Sequence, residues 1–203
     1  MYRIGSKLLE VELKRLRPTQ MTVGFEEVDK KRKSWSAMKS KEQRQAMREE
    51  LFPVVKGPAD SFYILDHHHT AAALIKEKTH CVQVGIVKHL SALDPDSFWI
   101  FLDHYSWVHP YDATGVRCDL KDIPDSFENL RDDPYRSLAG EVRDAGGFSK
   151  SDAPFLEFLW ANYFREAVDS KLLAGYKKKA VKLALKLAKS DKSAHLPGWA
   201  GPS

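Results

Sequence analysis

The sequence predicts an α+β fold in which a small mixed β-sheet carries a helical C-terminal extension. Short apolar, β-branched runs alternate with helical patterns up to about residue 90, whereas helical periodicity dominates the rest. The chain has 203 residues, of which 43% are hydrophobic and 30% charged, so it can bury a sizeable core. We expect an α+β core in residues 1–90 and a mainly helical extension in residues 91–203, packed together as one unit.

The elements of the core follow from hydrophobic pattern and turn signals. Four short apolar runs predict strands, at Leu8–Leu13, Pro53–Lys56, Ser61–Leu65 and Val82–Val87. Pro18 breaks the first strand. The charged stretch Val28–Glu50, with apolar residues at roughly helical spacing, is predicted to be mostly helix. An alanine-rich segment from Thr70 to about Lys78 predicts a second helix directly after the third strand.

Capping signals place three helices in the extension. Asp94 precedes the apolar run Phe98–Leu102, as expected of an N-cap at a helix start. A second helix starts at Asp133-Pro134 and should end at Gly146-Gly147. A third opens at Ser151–Pro154 and continues along an aromatic face wide enough to dock on a core.

The last helical segment is rich in lysine, with eight lysines and one acidic residue in residues 171–192. An apolar stripe runs through it at helical spacing, so we expect one amphipathic helix, with Trp199 of the tail packed against the fold. The simplest interpretation of the lysines is a solvated helix face, and a nucleic-acid-binding face is the alternative. Arginine, the better bidentate ligand of phosphate, is absent from this segment.

Composition bounds the class of protein. The net charge of +4 is too small to indicate a nucleic-acid partner by itself, and no apolar stretch approaches the roughly 20 residues that span a bilayer. Cys81 and Cys118 stand alone, which fits a reducing compartment better than a disulfide framework or a zinc ribbon. Met1–Ser6 shows no signal-peptide run, so we expect a cytoplasmic protein with no membrane partner. A signal peptide upstream of this sequence and the oligomeric state stay open.

The strongest functional signal is the turn Asp66-His67-His68-His69-Thr70. It lies between an apolar strand and an alanine-rich helix, where the first helical N–H groups lack partners and the helix dipole favours an anion. Such strand-to-helix turns commonly hold phosphate. The sequence therefore predicts an anion-binding site at this turn, with a carboxylate and imidazoles available for acid–base chemistry.

Two other interpretations of the histidines stay open. One is a transition-metal site that His104 and His109 complete. Adjacent helical residues point about 100° apart, so at most two histidines of the turn can reach one metal. The other is structural: the rings cap N–H groups or bond core carbonyls, with Asp66 as an N-cap. Three imidazoles directly after a buried strand need partners to offset their desolvation, which weighs against a purely structural role.

The order of these segments resembles the ParB/sulfiredoxin superfamily. It runs from a strand through Pro18-Thr19-Gln20, a charged helix and Pro53–Gly57 to a strand that ends in Asp66–His69. Over nearly the whole chain, the sequence is similar to the putative ParB-like nuclease family, notably in Asp133–Gly140, Gly147-Phe148 and Leu196–Gly198. The resemblance implies a ParB/sulfiredoxin-like sheet for the α+β core.

The resemblance also implies a nucleotide- or phosphate-binding pocket, because superfamily members include nucleotide-hydrolysing DNA-partitioning proteins, an ATP-dependent sulfinic acid reductase and free-serine kinases. Lys31 or Lys33, together with Ser34, falls where the preceding helix supplies phosphate contacts. Glu26 or Glu27 falls about where the kinases place an acidic catalytic residue. The phosphate turn itself corresponds to Asp66, His67, His68, His69 and Thr70.

The turn departs from the family pattern at two positions. His69 stands where an arginine is usual, so a group that titrates near neutral pH replaces a permanent bidentate clamp. Asp66-His67 replaces the common Asp-Gly or Gly-Gly, which crowds the turn.

Residues and resemblance together predict an enzyme that hydrolyses a phosphoester or transfers a phosphoryl group. The predicted catalytic residues are Asp66, His67, His68 and Glu26, and the predicted phosphate ligands are His68, His69, Thr70, Lys31 and Ser34. Phosphoryl transfer usually uses a divalent metal, so Mg²⁺ or another divalent ion on Asp66, with ATP or ADP as substrate, fits this chemistry. The expected partner is a nucleotide, a phosphorylated small molecule or nucleic acid. The alternative is a non-catalytic DNA- or partner-binding module that uses the lysine-rich helix.

Overall fold

A mixed β-sheet forms the first half of the protein. The computed structural model describes residues 8–202, and Met1–Ser6, where the sequence shows no signal-peptide run, lies outside the described residues. Seven strands form within them: β1 (Leu8–Glu12), β2 (Leu16–Arg17), β3 (Thr22–Val23), β4 (Leu51–Lys56), β5 (Phe62–Ile64), β6 (Cys81–His89) and β7 (Arg131–Asp132). Five make one sheet in the order β1-β6-β4-β5-β2, and β3 pairs with β7. β4 is parallel to β6 and β2 to β5, whereas β1–β6 and β4–β5 are antiparallel.

Helices flank this sheet and make up most of the second half. Their bounds are α1 (Phe25–Ala37), α2 (Ser40–Glu49), α3 (His68–Lys76), α4 (Pro95–His104), α5 (Pro134–Asp144), α6 (Leu156–Ala167), α7 (Ser170–Gly175) and α8 (Lys177–Ala188). The predicted α+β class, with a small mixed sheet and a helical second half, is confirmed. Across residues 8–202, no helix is both long and apolar enough to cross a membrane.

The stretch Val28–Glu50, which the spacing predicts to be mostly helix, is helical over most of its length but is divided into two helices. Met38 and Lys39 adopt extended backbone between α1 and α2, and the Glu42 carboxylate accepts the N–H of Lys39 at 2.6 Å. Trp35 of α1 and Met47 of α2 nevertheless pack against the same apolar core. Because both helices turn apolar residues toward that core, helical spacing continues in the sequence across the break.

The lysine-rich segment is also two helices. α7 ends at Gly175, and Tyr176 (φ −138°, ψ 56°) lies outside the helical region before α8 begins. Glycine is a poor helix former, so the break falls where helix propensity is weakest. The helix predicted to open at Ser151–Pro154 begins later, at Leu156. Phe155 adopts a left-handed conformation with φ 55°, so helical backbone cannot extend through it.

Predicted caps and packing in the second half agree with the structure. The Asp94 side chain accepts the N–H of Ser97 at 3.0 Å and caps α4. α5 ends at Asp144, just before Gly146, whose φ of 78° suits glycine at a helix end. Trp199 packs against the helical core and donates its Nε1–H to the carbonyl of Ser190 at 3.2 Å.

Three clusters of buried apolar side chains hold these elements together. The first joins the sheet to α1 and α3 around Phe52, and the second lies among α5, α6 and α8 around Trp160. The third packs α4 onto the sheet through Phe98. Phe127 and Leu130 belong to the first cluster, so residues beyond 90 complete the core of the first half. The two halves therefore meet over a wide contact, and the candidate site lies at that contact.

Candidate functional site

The predicted site forms the turn between β5 and α3. β5 ends at Ile64 and α3 begins at His68, with His67 before it in a left-handed conformation at φ 67° and ψ 24°. Asp66 is exposed, and its Oδ1 accepts the N–H of His67 at 2.6 Å. A non-glycine residue in this conformation is under backbone strain of roughly 1–2 kcal/mol. The tight turn places His67 and Asp66 at the start of α3.

The N-terminus of α3 offers three backbone donors. The first internal bond of the helix runs from the N–H of Ala71 to the carbonyl of His67 at 2.9 Å. The amide N–H groups of His68, His69 and Thr70 have no acceptor within the described part of the chain. Three unpaired donors at the positive end of a helix dipole form a site that attracts an anion.

A cavity of about 800 Å³ opens beside this turn. Its lining comes from the turn and α1 in the first half, and from residues 105–107, α5 and residues 150–158 in the second. Eight charged side chains line it, four cationic and four acidic: Lys31, Arg136, Arg143, Lys150, Glu27, Asp66, Asp152 and Glu157. The formal charges balance, so the cavity is not a basic pocket. The amide groups of α3 are therefore the part of the lining whose geometry favours an anion.

His68 and His69 are structural acceptors rather than exposed cations. They are 4% and 8% exposed, and the Nε2 atoms accept the N–H of Thr19 and of Gly24, each at 3.0 Å. A ring nitrogen that accepts a backbone N–H carries no proton, so both imidazoles are neutral, with the proton on Nδ1. Burial lowers the pKa of both histidines well below the usual value, which likewise favours neutral rings. The two rings therefore hold the segment 19–24 against α3 and bring no positive charge to a ligand.

Glu27 lies between His69 and Arg136. Its Oε2 is 3.6 Å from Nε2 of His69 and 3.2 Å from Nη1 of Arg136. Because Nε2 of His69 already accepts a backbone N–H, the longer contact is no ion pair, and Glu27 pairs with Arg136. Arg136 is 6% exposed, and its Nη2 is 3.9 Å from Glu157, which also accepts from Arg143. These four side chains form a linked charge network in the cavity wall.

His67 and Glu50 form a second pair at the turn. Nδ1 of His67 lies 2.6 Å from Oε1 of Glu50, and the side chains are 37% and 34% exposed. The hydrogen bond to Glu50 is the main cause that raises the pKa of His67, and the same bond lowers the pKa of Glu50. His67 lines the large cavity, whereas Glu50 lies behind it in a groove between α1, α2 and α3. Glu50 therefore orients the imidazole and favours its protonated form.

The structure separates the other predicted residues into two groups. Lys31 and Thr70 line the cavity, as does Glu27. Glu26, in contrast, is exposed and pairs with Lys177 of α8, and Ser34 lines the groove between the helices rather than the cavity. Adjacent residues on a helix point about 100° apart, so only one of the two glutamates can face the turn, and it is Glu27.

The histidines do not gather into a metal site with the residues named as its completion. His104 is exposed at the end of α4, and its Nδ1 bonds to the carbonyl of Ile100 at 3.1 Å. His109 is buried with its ring 4.0 Å from that of Phe158, and burial lowers the pKa of His109 to about 3. Among residues 8–202, no three His, Cys, Asp or Glu side chains come together so as to hold a metal ion.

The chain was compared with known proteins. A family model described as "Putative ParB-like nuclease" matches residues 9–166, well over half of the chain. The chain belongs to this ParB-like nuclease family. The crystal structure of protein Atu1540 from Agrobacterium tumefaciens is similar to it, with a TM-score of 0.91 and 43% identity over 97% of this chain and 98% of that one. No curated protein matches the chain. The family match crosses residue 90, as the shared apolar clusters do.

Sequence reasoning missed residues that reach the site from a distance. Glu50 ends the charged stretch after α1, and its pairing with His67 depends on how α2 returns to the sheet. Arg143, Lys150 and Glu157 line the cavity from the second half of the chain. The only sequence signal for Arg143 and Glu157 was charge within helical segments, which is common on any helix surface, and Lys150 lies in the loop between α5 and α6.

Proposed function

We propose that this protein binds a nucleotide or a related phosphoester in the cavity at the start of α3, and that it hydrolyses the phosphoester or transfers its phosphoryl group. The observation that carries the proposal is the set of three amide N–H groups, of His68, His69 and Thr70, without internal acceptors beside the cavity. Membership of the ParB-like nuclease family agrees with phosphoester chemistry.

The phosphate is placed by the backbone in this proposal. Three N–H donors and the dipole of a nine-residue helix act at one point. Lys31 and the hydroxyl of Thr70 line the same cavity and add to them. Because the charged side chains of the lining balance, the anionic group is held at the α3 amides rather than spread along the walls. His68 and His69 contribute by keeping the turn in place.

His67 and Asp66 carry the acid–base chemistry of the proposal. The raised pKa of His67 keeps a larger protonated fraction near neutral pH, which suits a general acid that gives a proton to a leaving oxygen. Asp66 is exposed next to it and accepts the proton of an attacking hydroxyl or water. Glu27 replaces Glu26 as the additional acidic residue, because Glu27 lines the cavity and Glu26 does not.

A divalent metal fits this site only together with its ligand. Asp66 uses Oδ1 to accept the His67 N–H, which leaves Oδ2 as the oxygen that serves either as the proton acceptor or, in place of that role, as a metal ligand. Mg²⁺ commonly binds through one or two carboxylates plus water and substrate phosphates, so ATP or ADP would bring the remaining ligands. Such an ion would neutralise phosphate charge.

Ligand binding is tested by thermal shift with ATP, ADP, AMP and inorganic phosphate, each with and without Mg²⁺. A ligand at 100 times its Kd stabilises the folded protein by about 2.7 kcal/mol. Lys31→Gln should reduce that shift, whereas Lys33→Gln, on the same helix but outside the cavity lining, should leave it unchanged. No shift with any of these ligands, or equal shifts in both variants, contradicts binding at this site.

Turnover is tested separately with Asp66→Asn. The asparagine oxygen can still accept the N–H of His67, so the turn and the thermal shift should persist. Loss of the proton acceptor should lower phosphate release or nucleic-acid cleavage by roughly 10²–10⁴-fold. A variant with wild-type turnover would remove Asp66 from the mechanism.

A further inference from the structure

Charge is divided unevenly along this chain. Of its 32 Lys and Arg and 28 Asp and Glu, eight lysines and one acid lie in residues 171–192. That segment therefore carries a formal charge of +7, and the rest of the chain carries −3. The segment forms α7, α8 and the turn after them, and none of its residues lines the 800 Å³ cavity. The net excess of positive charge in this protein thus lies outside the candidate site.

Five lysines of this segment share one side of α8. At 100° per residue, they fall within an arc of about 100°, and they span about 16 Å along the helix axis. We call them the lysine face: Lys178, Lys179, Lys182, Lys186 and Lys189. The opposite side of α8 consists of small residues packed into the helical core: Ala180, Ala184 and Ala188 are 0% exposed.

The lysine face has no charge partner in the fold. None of its five ammonium groups pairs with a carboxylate of the described residues, whereas Lys177, about 100° around the helix from this face, pairs with Glu26 and Glu141. Lys178 and Lys179 also lie in the first turn of α8, where the helix dipole is positive and no acidic residue is present. Like charges four residues apart repel by roughly 0.2–0.5 kcal/mol per pair. Within the described residues, the ammonium group of Lys179 lies 5.0 Å from the ring centroid of Tyr176, but no ion pair offsets the repulsion. Such local conflicts are expected where a surface serves binding.

We infer that the lysine face binds the phosphate backbone of nucleic acid without reading its sequence. Double-stranded DNA presents one phosphate charge per ~1.7 Å of axis, so a rigid row of ammonium groups along α8 can meet several phosphates. Lysine acts as a point charge, and the absence of arginine from the segment removes the usual bidentate contact to guanine. A membrane surface fits less well, because membrane-bound helices insert apolar residues and most of those on α8 are packed inward. The inference does not depend on any activity in the cavity.

The test measures binding of the full chain to a fluorescent 20-base-pair duplex of arbitrary sequence by anisotropy, across a range of salt. Five phosphate contacts predict a slope of log K against log salt near −4.5, or roughly 500-fold weaker binding from 50 to 200 mM. In the triple variant Lys178→Gln, Lys182→Gln, Lys186→Gln, two contacts remain. The slope should then be about −1.8, and binding should weaken only roughly 12-fold between 50 and 200 mM salt. All three side chains are exposed, so the substitutions remove no packed contact.

The matched control removes three exposed lysines elsewhere, through Lys33→Gln, Lys41→Gln and Lys78→Gln, and changes net charge equally. This control should keep the wild-type slope. An equal reduction of duplex affinity and of the salt slope in the two triple variants would show that net charge alone drives binding and would overturn the inference. So would the absence of duplex binding at 50 mM salt, or binding only to vesicles that contain phosphatidylserine.

Discussion

Three histidines, His68, His69 and His109, are buried without charge, so mild acid should weaken this fold. Burial is the main cause that lowers the pKa of each, in the case of His109 to about 3. The unfolded chain binds protons at these positions below about pH 6.5, whereas the folded chain does not. Stability from these groups is therefore fully present above that pH and is lost progressively as the pH falls below it toward the lowered pKa of the folded state.

The size of the effect follows from proton linkage. Between pH 7.5 and 5.5, one histidine with an unfolded pKa of about 6.5 and a much lower folded pKa reduces the free energy of unfolding by about 1.4 kcal/mol. Three such groups reduce it by about 4 kcal/mol. His67, whose pKa is raised, acts in the opposite sense, but its pair with Glu50 is more than a third exposed and contributes less than about 1 kcal/mol. A typical domain is stable by only about 5–15 kcal/mol, so the loss is large.

The assay is urea unfolding at several pH values between 7.5 and 5.5, a range in which most carboxylates stay ionised. His109→Phe keeps the aromatic contact with Phe158 and removes the titrating ring, so it should reduce the acid-induced loss by about 1.4 kcal/mol. His68→Gln, which retains a side-chain acceptor for the Thr19 N–H, should reduce it similarly. A free energy of unfolding that stays level or rises from pH 7.5 to 5.5 would refute the assignment of neutral buried rings.

Two further predictions concern His67. His67→Gly removes the imidazole but suits the left-handed backbone, so the free energy of unfolding should stay within about 1 kcal/mol of wild type while turnover is lost. His67→Ala should be less stable than His67→Gly by about 1 kcal/mol. The reverse order of stability in urea unfolding would contradict a strained turn at His67. Glu50→Gln removes the main cause of the raised His67 pKa. The NMR titration of the imidazole and the alkaline limb of a pH–rate profile should therefore both move to lower pH. An unchanged titration would exclude Glu50 as the cause.

Local signals in the sequence were sufficient for the fold class and for the position of the candidate site. The run before Asp66 is a strand and the alanine-rich run after it is a helix, because burial and periodicity act over a few residues. Asp94 caps α4 because an aspartate oxygen can reach the N–H three residues ahead wherever the helix lies. Continuity was harder to predict: α7 and α8 separate at Tyr176, directly after Gly175, where helix propensity is weakest although the apolar stripe continues.

The roles of the side chains at the turn were decided by residues far away in the sequence. Whether an imidazole is a cation or a neutral acceptor depends on what faces it, and the partners of His68 and His69 lie 49 and 45 residues earlier in the chain. The same holds for Glu50, which meets His67 only because α2 returns to the sheet. Sequence alone therefore determined that a helix would begin just after Asp66, with its first N–H groups at the turn. Only the tertiary structure decided which rings carry charge there, because protonation depends on solvent access and on hydrogen bonds that folding brings together.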